Sequence, residues 1–184
     1  MRIDSMTKSY MVRGVLLTLL LLAVSGRAIA VREDSQQLTQ VLGEARDEAA
    51  ELARDADEAE SLIRNQVSWE THAAVLDRVK DHVNNMARIV DKLTETRASG
   101  SDLQEQAVDR ILPLVKELAA NTTAAISYLN QNKSRPITES YTEYLQGNAE
   151  TAHQLSSTVS SLFEYEKSMT KIAKLKNKLE LSEQ

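Results

Sequence analysis

Not one of the 184 residues is cysteine. That excludes a disulfide scaffold, a thiolate metal site, covalent c-type haem attachment and an acylated amino-terminal cysteine. Turn formers are scarce as well, with five glycines and two prolines. Sheet proteins need such residues at every hairpin, so the shortage points to a few long helices joined by short loops. A basic excess is also missing: 22 Lys and Arg stand against 27 Asp and Glu. Nucleic acid and anionic lipid reward clustered cations, so neither is expected as a main partner.

A long apolar run occurs once. Val15 to Val24 is broken only by Thr18, follows Arg2, Lys8 and Arg13, and leads into Ser25-Gly26-Arg27-Ala28-Ile29-Ala30. A positive start, a short apolar stretch and an A-x-A-like end form the layout of a secretory signal peptide. The run falls short of the roughly 20 residues that span a bilayer. Cleavage is therefore expected after Ala30, making residues 1–30 a signal peptide and 31–184 one exported domain. No stable membrane insertion is expected after cleavage. Small exported eukaryotic domains often lean on disulfides, so a cysteine-free chain suits a bacterial periplasm better, with secretion the wider reading. Residues 31–184 carry 18 basic and 26 acidic side chains. Two short glycosylation-type matches, Asn121-Thr122-Thr123 and Asn132-Lys133-Ser134, are of a length that arises by chance.

Hydrophobic periodicity resolves this domain into four helices. The first is expected over about 35–66, where Leu38, Leu42, Ala45, Ala49, Leu52, Ala56, Ala59 and Ile63 alternate at spacings of four and three. Such a heptad seam, half alanine, lets a neighbouring helix approach closely. The second is expected over 69–97, capped by Ser68, with a wider stripe from Val75 to Leu93 that suits two or more neighbours. The third is expected over 103–131, with capping boxes at Ser101 and Asp102 and a kink or local break at Pro113. The fourth is expected over 137–181, with Pro136 in its first turn and a stripe from Tyr141 to Leu162 that drifts to Tyr165, Met169, Ile172, Leu175 and Leu179. Short connections make successive helices antiparallel, so the expected fold is all-α, an up-down-up-down four-helix bundle with a long C-terminal helix. Lys167, Lys171, Lys174, Lys176 and Lys178 would then lie beside Glu33, Asp34, Glu44, Asp47, Glu48 and Glu51 of the first helix.

Reactive constellations are missing too. No HExxH or paired-carboxylate pattern occurs, Glu-x-x-His occurs once (Glu150 to His153) where di-iron chemistry needs it on two helices, and the serines near Ser156 lack a glycine-framed elbow. The domain is therefore not expected to be an enzyme. His72 and His82 fall in phase with the second helix's stripe and are expected to point inward, whereas His153 falls on the polar side of the fourth helix. Inward histidines can ligate haem or a metal, which gives an alternative reading centred on His82, with His153 as the second ligand. The leading reading needs no cofactor and no metal. Trp69, His72, Tyr128, Arg135, Tyr141 and Tyr144 should gather at one bundle end. They form either a binding patch for an unknown protein or small ligand, or an aromatic plug that closes the core. The expected function is thus a non-enzymatic binding or structural module. A homo-oligomeric coiled coil, built from the alanine seam and the overhanging fourth helix, remains a further alternative.

Overall fold

The computed structural model describes residues 37–65, 67–95 and 102–182. The expected signal peptide, its cleavage site at Ala30, and the boundaries near Ser35, Gln66, Arg97 and Ser101 lie outside those residues. Leu38 onward forms one packed unit. Regular structure among the described residues is entirely helical. The helices are α1 over 37–61, α2 (Trp69–Glu95), α3 (Asp102–Gln131) and α4 (Glu139–Ser182), with a 3-10 turn, Leu62–Arg64, closing α1.

Local chemistry sets most of these ends. Ser68 caps α2, its hydroxyl accepting the Thr71 N–H at 3.4 Å. Thr138 does the same for α4, accepting the Tyr141 N–H at 3.4 Å. The helix therefore begins at Glu139, and Pro136 lies before the cap instead of in the first turn. At the end of α3 the Tyr128 carbonyl accepts both the Asn132 backbone N–H and its side-chain amide, at 3.1 and 2.9 Å. The break considered at Pro113 does not occur, and α3 runs through it. Pro113 sits on the exposed side, where water can solvate the turn that a proline opens.

Contacts between helices define their directions. Asp55, Glu48 and Glu44 of α1 meet Arg78, His82 and Lys92 of α2, so one helix rises as the other falls. Asp57 meets His153, and Arg46 lies under Phe163, so α4 runs antiparallel to α1. Thr151 donates to Glu117 at 3.3 Å, while a side chain on Gly147 would meet Asn121, so α4 also runs antiparallel to α3. Gln104 bonds the Leu93 carbonyl beside the α2–α3 connection, at 3.2 Å. His72 meets Tyr141 across the diagonal.

The α1 seam is buried as its spacing predicts, with Leu42, Ala45, Ala49, Leu52 and Ala56 all at 0% exposure. Its last member differs. The 3-10 turn advances further per residue than an α-helix, so Leu62 turns inward and Ile63 stays half-buried.

The apolar interior has two parts. One runs from Leu38 to Ala56 on α1 and reaches Leu118 on α3 and Ala149 on α4. The other gathers Ala59, Leu62, Val75, Leu76, Ala125, Leu129, Tyr141 and Leu145. Thr122 and Asn148 fall in the gap between them, at 2% and 1% exposure. The Glu117–Thr151 and Asn121–Gly147 contacts place these two residues at the same level. Neither the Thr122 hydroxyl nor either polar atom of the Asn148 amide has a hydrogen-bond partner.

Candidate functional site

The aromatic end is built by two neighbouring connections, α1–α2 and α3–α4. His72 projects from the first turn of α2 and Tyr141 from that of α4, both essentially fully buried. The Tyr141 hydroxyl lies 3.1 Å from His72 Nδ1, and their rings meet edge to face at 5.4 Å. Tyr128 of α3 stacks on Tyr141 at 6.1 Å, and its hydroxyl accepts a hydrogen bond of 2.7 Å from Thr138. Trp69 and Tyr144 pack half-buried on the same cluster, and Lys133 lies over the indole at 4.2 Å. Arg135 is exposed in the loop, its N–H donating to the Asn132 carbonyl. Five of the six expected residues thus share one packed cluster.

Burial dictates the electrostatics of this end. Desolvation lowers the His72 pKa and raises that of Tyr141 well above the usual phenol range. Both are therefore neutral near pH 7, joined by one neutral hydrogen bond. His72 Nε2 has no hydrogen-bond partner. An imidazole and a phenol sealed in this way have the surroundings of a core lid.

The other histidines depart from the haem geometry considered for them. His82 does not point into the core. It lies in the α1–α2 seam, with Nδ1 2.6 Å from Glu48 and Nε2 3.5 Å from Asp55. A strict heptad drifts against the 3.6-residue turn, so Val83 takes the core position and the imidazole slides out to the carboxylates. His153 is exposed, as its phase predicts, and lies 2.8 Å from Asp57 in the α1–α4 seam. The two imidazoles are held in different seams by different carboxylates. No group of three His, Asp or Glu side chains among the described residues is disposed to hold a metal ion.

His82 belongs to a polar ladder that tiles the α1–α2 seam. Arg78 bonds Glu58 and, at 3.0 Å, Asp55; Asn85 bonds Glu48 at 2.8 Å; Lys92 bonds Glu44 at 3.0 Å. Hydrogen bonds from Lys92 and Gln40 lower the Glu44 pKa, and those that Arg78 donates to Glu58 and Asp55 raise its own. Further along lies an open groove of about 510 Å³ lined by Glu44, Asp47, Glu48, Glu51, Arg88 and Lys92. Charge in α1 is thus answered chiefly by α2. The α4 lysines expected to do so make no ion pair with α1 among the described residues, and Lys167 sits near Glu164 and over Phe163 instead.

Asp55 is charged yet only 6% exposed. Its place beside Ala56 at the seam's edge, one turn from Glu58, was the available signal. Asn148 falls within the α4 stripe and Thr122 lies on α3, but their lack of hydrogen-bond partners has no sequence signature.

The remaining feature is on α4. Tyr165, Met169, Ile172, Leu175 and Leu179 are 46–66% exposed. No described helix is long and apolar enough to cross a membrane. No family model, curated protein or solved structure matches the chain.

Proposed function

We propose that the chain is an exported, non-enzymatic helical-bundle module that works by binding through helix faces or as a structural element. Residues 1–30 are its signal peptide, cleavage follows Ala30, and the periplasm is its compartment. The layout of the first thirty residues supports export. The exposed α4 stripe carries the binding reading, because it gathers the exposed large apolar side chains among the described residues, outside a bundle whose histidines are already engaged. On this reading the aromatic end closes the core, and only the rims of Trp69 and Tyr144 with Arg135 are available to a ligand.

Native mass spectrometry of the protein recovered from its own host, under mild conditions, tests this reading. The expected mass is that of residues 31–184 without a small-molecule adduct. Retention of residues 1–30 would refute processing. A stoichiometric haem or metal adduct lost in His82→Ala would replace the module reading with the ligand-binding one.

A further inference from the structure

The α4 stripe does not prolong the core face. Core residues Leu155, Val159, Leu162 and Glu166 point one way. At about 100° per residue, the centre of the distal stripe lies roughly 120° around the helix from them. From 167 to 179 every side chain is exposed except that of Thr170. Tyr165 is already 54% exposed while its neighbours Leu162 and Glu166 are buried. Two apolar faces therefore overlap on one helix, and only the first is covered by the bundle.

The spacing of the second face is palindromic. Tyr165, Met169, Ile172, Leu175 and Leu179 are separated by four, three, three and four residues. A two-fold axis perpendicular to the helix at Ile172 maps this pattern onto itself. We infer that the stripe is a self-association surface, on which α4 of a second copy docks antiparallel with Ile172 on the two-fold axis. This deepens the binding-module reading and rests on its α4 surface, without depending on export. Tyr165 then lies level with Leu179 of the second copy and Met169 with its Leu175, so each large apolar side chain finds an apolar one. Isologous contacts of this kind close on themselves and leave no open end.

Charge selects the orientation and the occupant. Lys176 is the one cation within the stripe. Antiparallel docking puts it level with Ser168 of the second copy, whereas parallel docking sets Lys176 against Lys176. Lys167, Lys171, Lys174 and Lys178 cluster roughly 130° from the stripe's centre and point away from the partner. A lipid surface fits less well. The stripe has no Trp or Phe to seat in the interface, and its lysines face away instead of reaching past the apolar edge to the headgroups.

The absence of native cysteine makes a clean test possible, because one introduced thiol reports only on itself. Full-length chains bearing Tyr165→Cys, Ile172→Cys or Leu179→Cys are expressed in cells and treated with a short bis-maleimide, with exposed Arg110→Cys as background. Ile172→Cys should give a dimer band at twice the chain mass. Tyr165→Cys and Leu179→Cys alone should stay at background, because their equivalents are 14 residues, roughly 21 Å, apart. Co-expressing those two should restore the band. Equal cross-linking at all three positions would overturn the antiparallel register. No cross-linking at any position would overturn self-association, and anionic-vesicle binding by wild-type chain would then assign the stripe to lipid. The cross-linking result is independent of the processed mass, so the two readings fail separately.

Discussion

Ala49 offers the sharpest test of the packing, because its neighbour is its own control. Ala49 is 0% exposed on the α1 seam, whereas Ala50 is exposed. Ala49→Glu forces a carboxyl into the interior, where the nearby cations Arg78 and Lys92 already serve Asp55, Glu58 and Glu44. Burial raises a carboxyl pKa by up to about 3–5 units, so this one stays protonated at pH 7. Holding a group with an ordinary pKa near 4.3 protonated at pH 7 spans about 2.7 units, or roughly 3.7 kcal/mol at 1.36 kcal/mol per unit. Overpacking adds about 1–3 kcal/mol. The total, about 5–7 kcal/mol, is comparable with a whole domain's stability of about 5–15 kcal/mol. At pH 5 the ionisation part falls to roughly 1 kcal/mol. Urea melts followed by circular dichroism should therefore show Ala49→Glu much less stable than wild type at pH 7, with the gap narrowing by about 2–3 kcal/mol at pH 5. Ala50→Glu should change stability by no more than about 0.5 kcal/mol at either pH. Equal costs at the two positions, or a gap indifferent to pH, would refute the seam assignment.

Other expectations follow from individual side chains. Burial lowers the His72 pKa below its ordinary 6.5, so the unfolded chain takes up the proton first. Stability from this residue is therefore complete above about pH 6.5 and lost as pH falls through the folded value. His72→Phe should flatten the decline in melting temperature between pH 7 and pH 5, and an unchanged decline would show that His72 is not buried neutral. Asn148→Leu removes two buried polar atoms that lack partners and keeps a similar volume, so it should stabilise by about 1–3 kcal/mol in a denaturant melt. A loss of stability would mean that the amide is bonded in solution. Pro113→Ala restores a helix N–H on an exposed turn and should stabilise by about 1 kcal/mol or more, with an unchanged or lower melting temperature as the contrary result.

Much of the helical layout was readable because the apolar residues recur with a long, regular period. Leu38 to Ala59 alternate at four and three, and all of these seam positions are buried. Departures appear where a local choice shifts the phase by one residue. The 3-10 turn exchanges Ile63 for Leu62, and the helical drift exchanges His82 for Val83. Periodicity assigns a face to within about half a turn and cannot resolve such a step. The aromatic end was legible because two short loops must lie at one end of an antiparallel bundle. The charge pairing was not, because α1 is acidic on several flanks and composition does not say which neighbour answers which flank. Only the ladder from Glu58 through Arg78, Asp55 and His82 to Glu48 shows that α2 does so.

The Thr122–Asn148 level has a consequence for how the helices slide. Leucine, alanine and valine are nearly interchangeable along a bundle, so a helix displaced by one heptad would bury almost the same apolar area. Shifting α4 by seven residues would move Asn148 from beside Thr122 to the level of Leu129 or Val115. Although unbonded, the amide shares its present level with a hydroxyl, whereas at the other two levels it would lie among branched aliphatic side chains alone. The pair thus works as an axial detent that gives an otherwise repetitive molecule one preferred height for its longest rod.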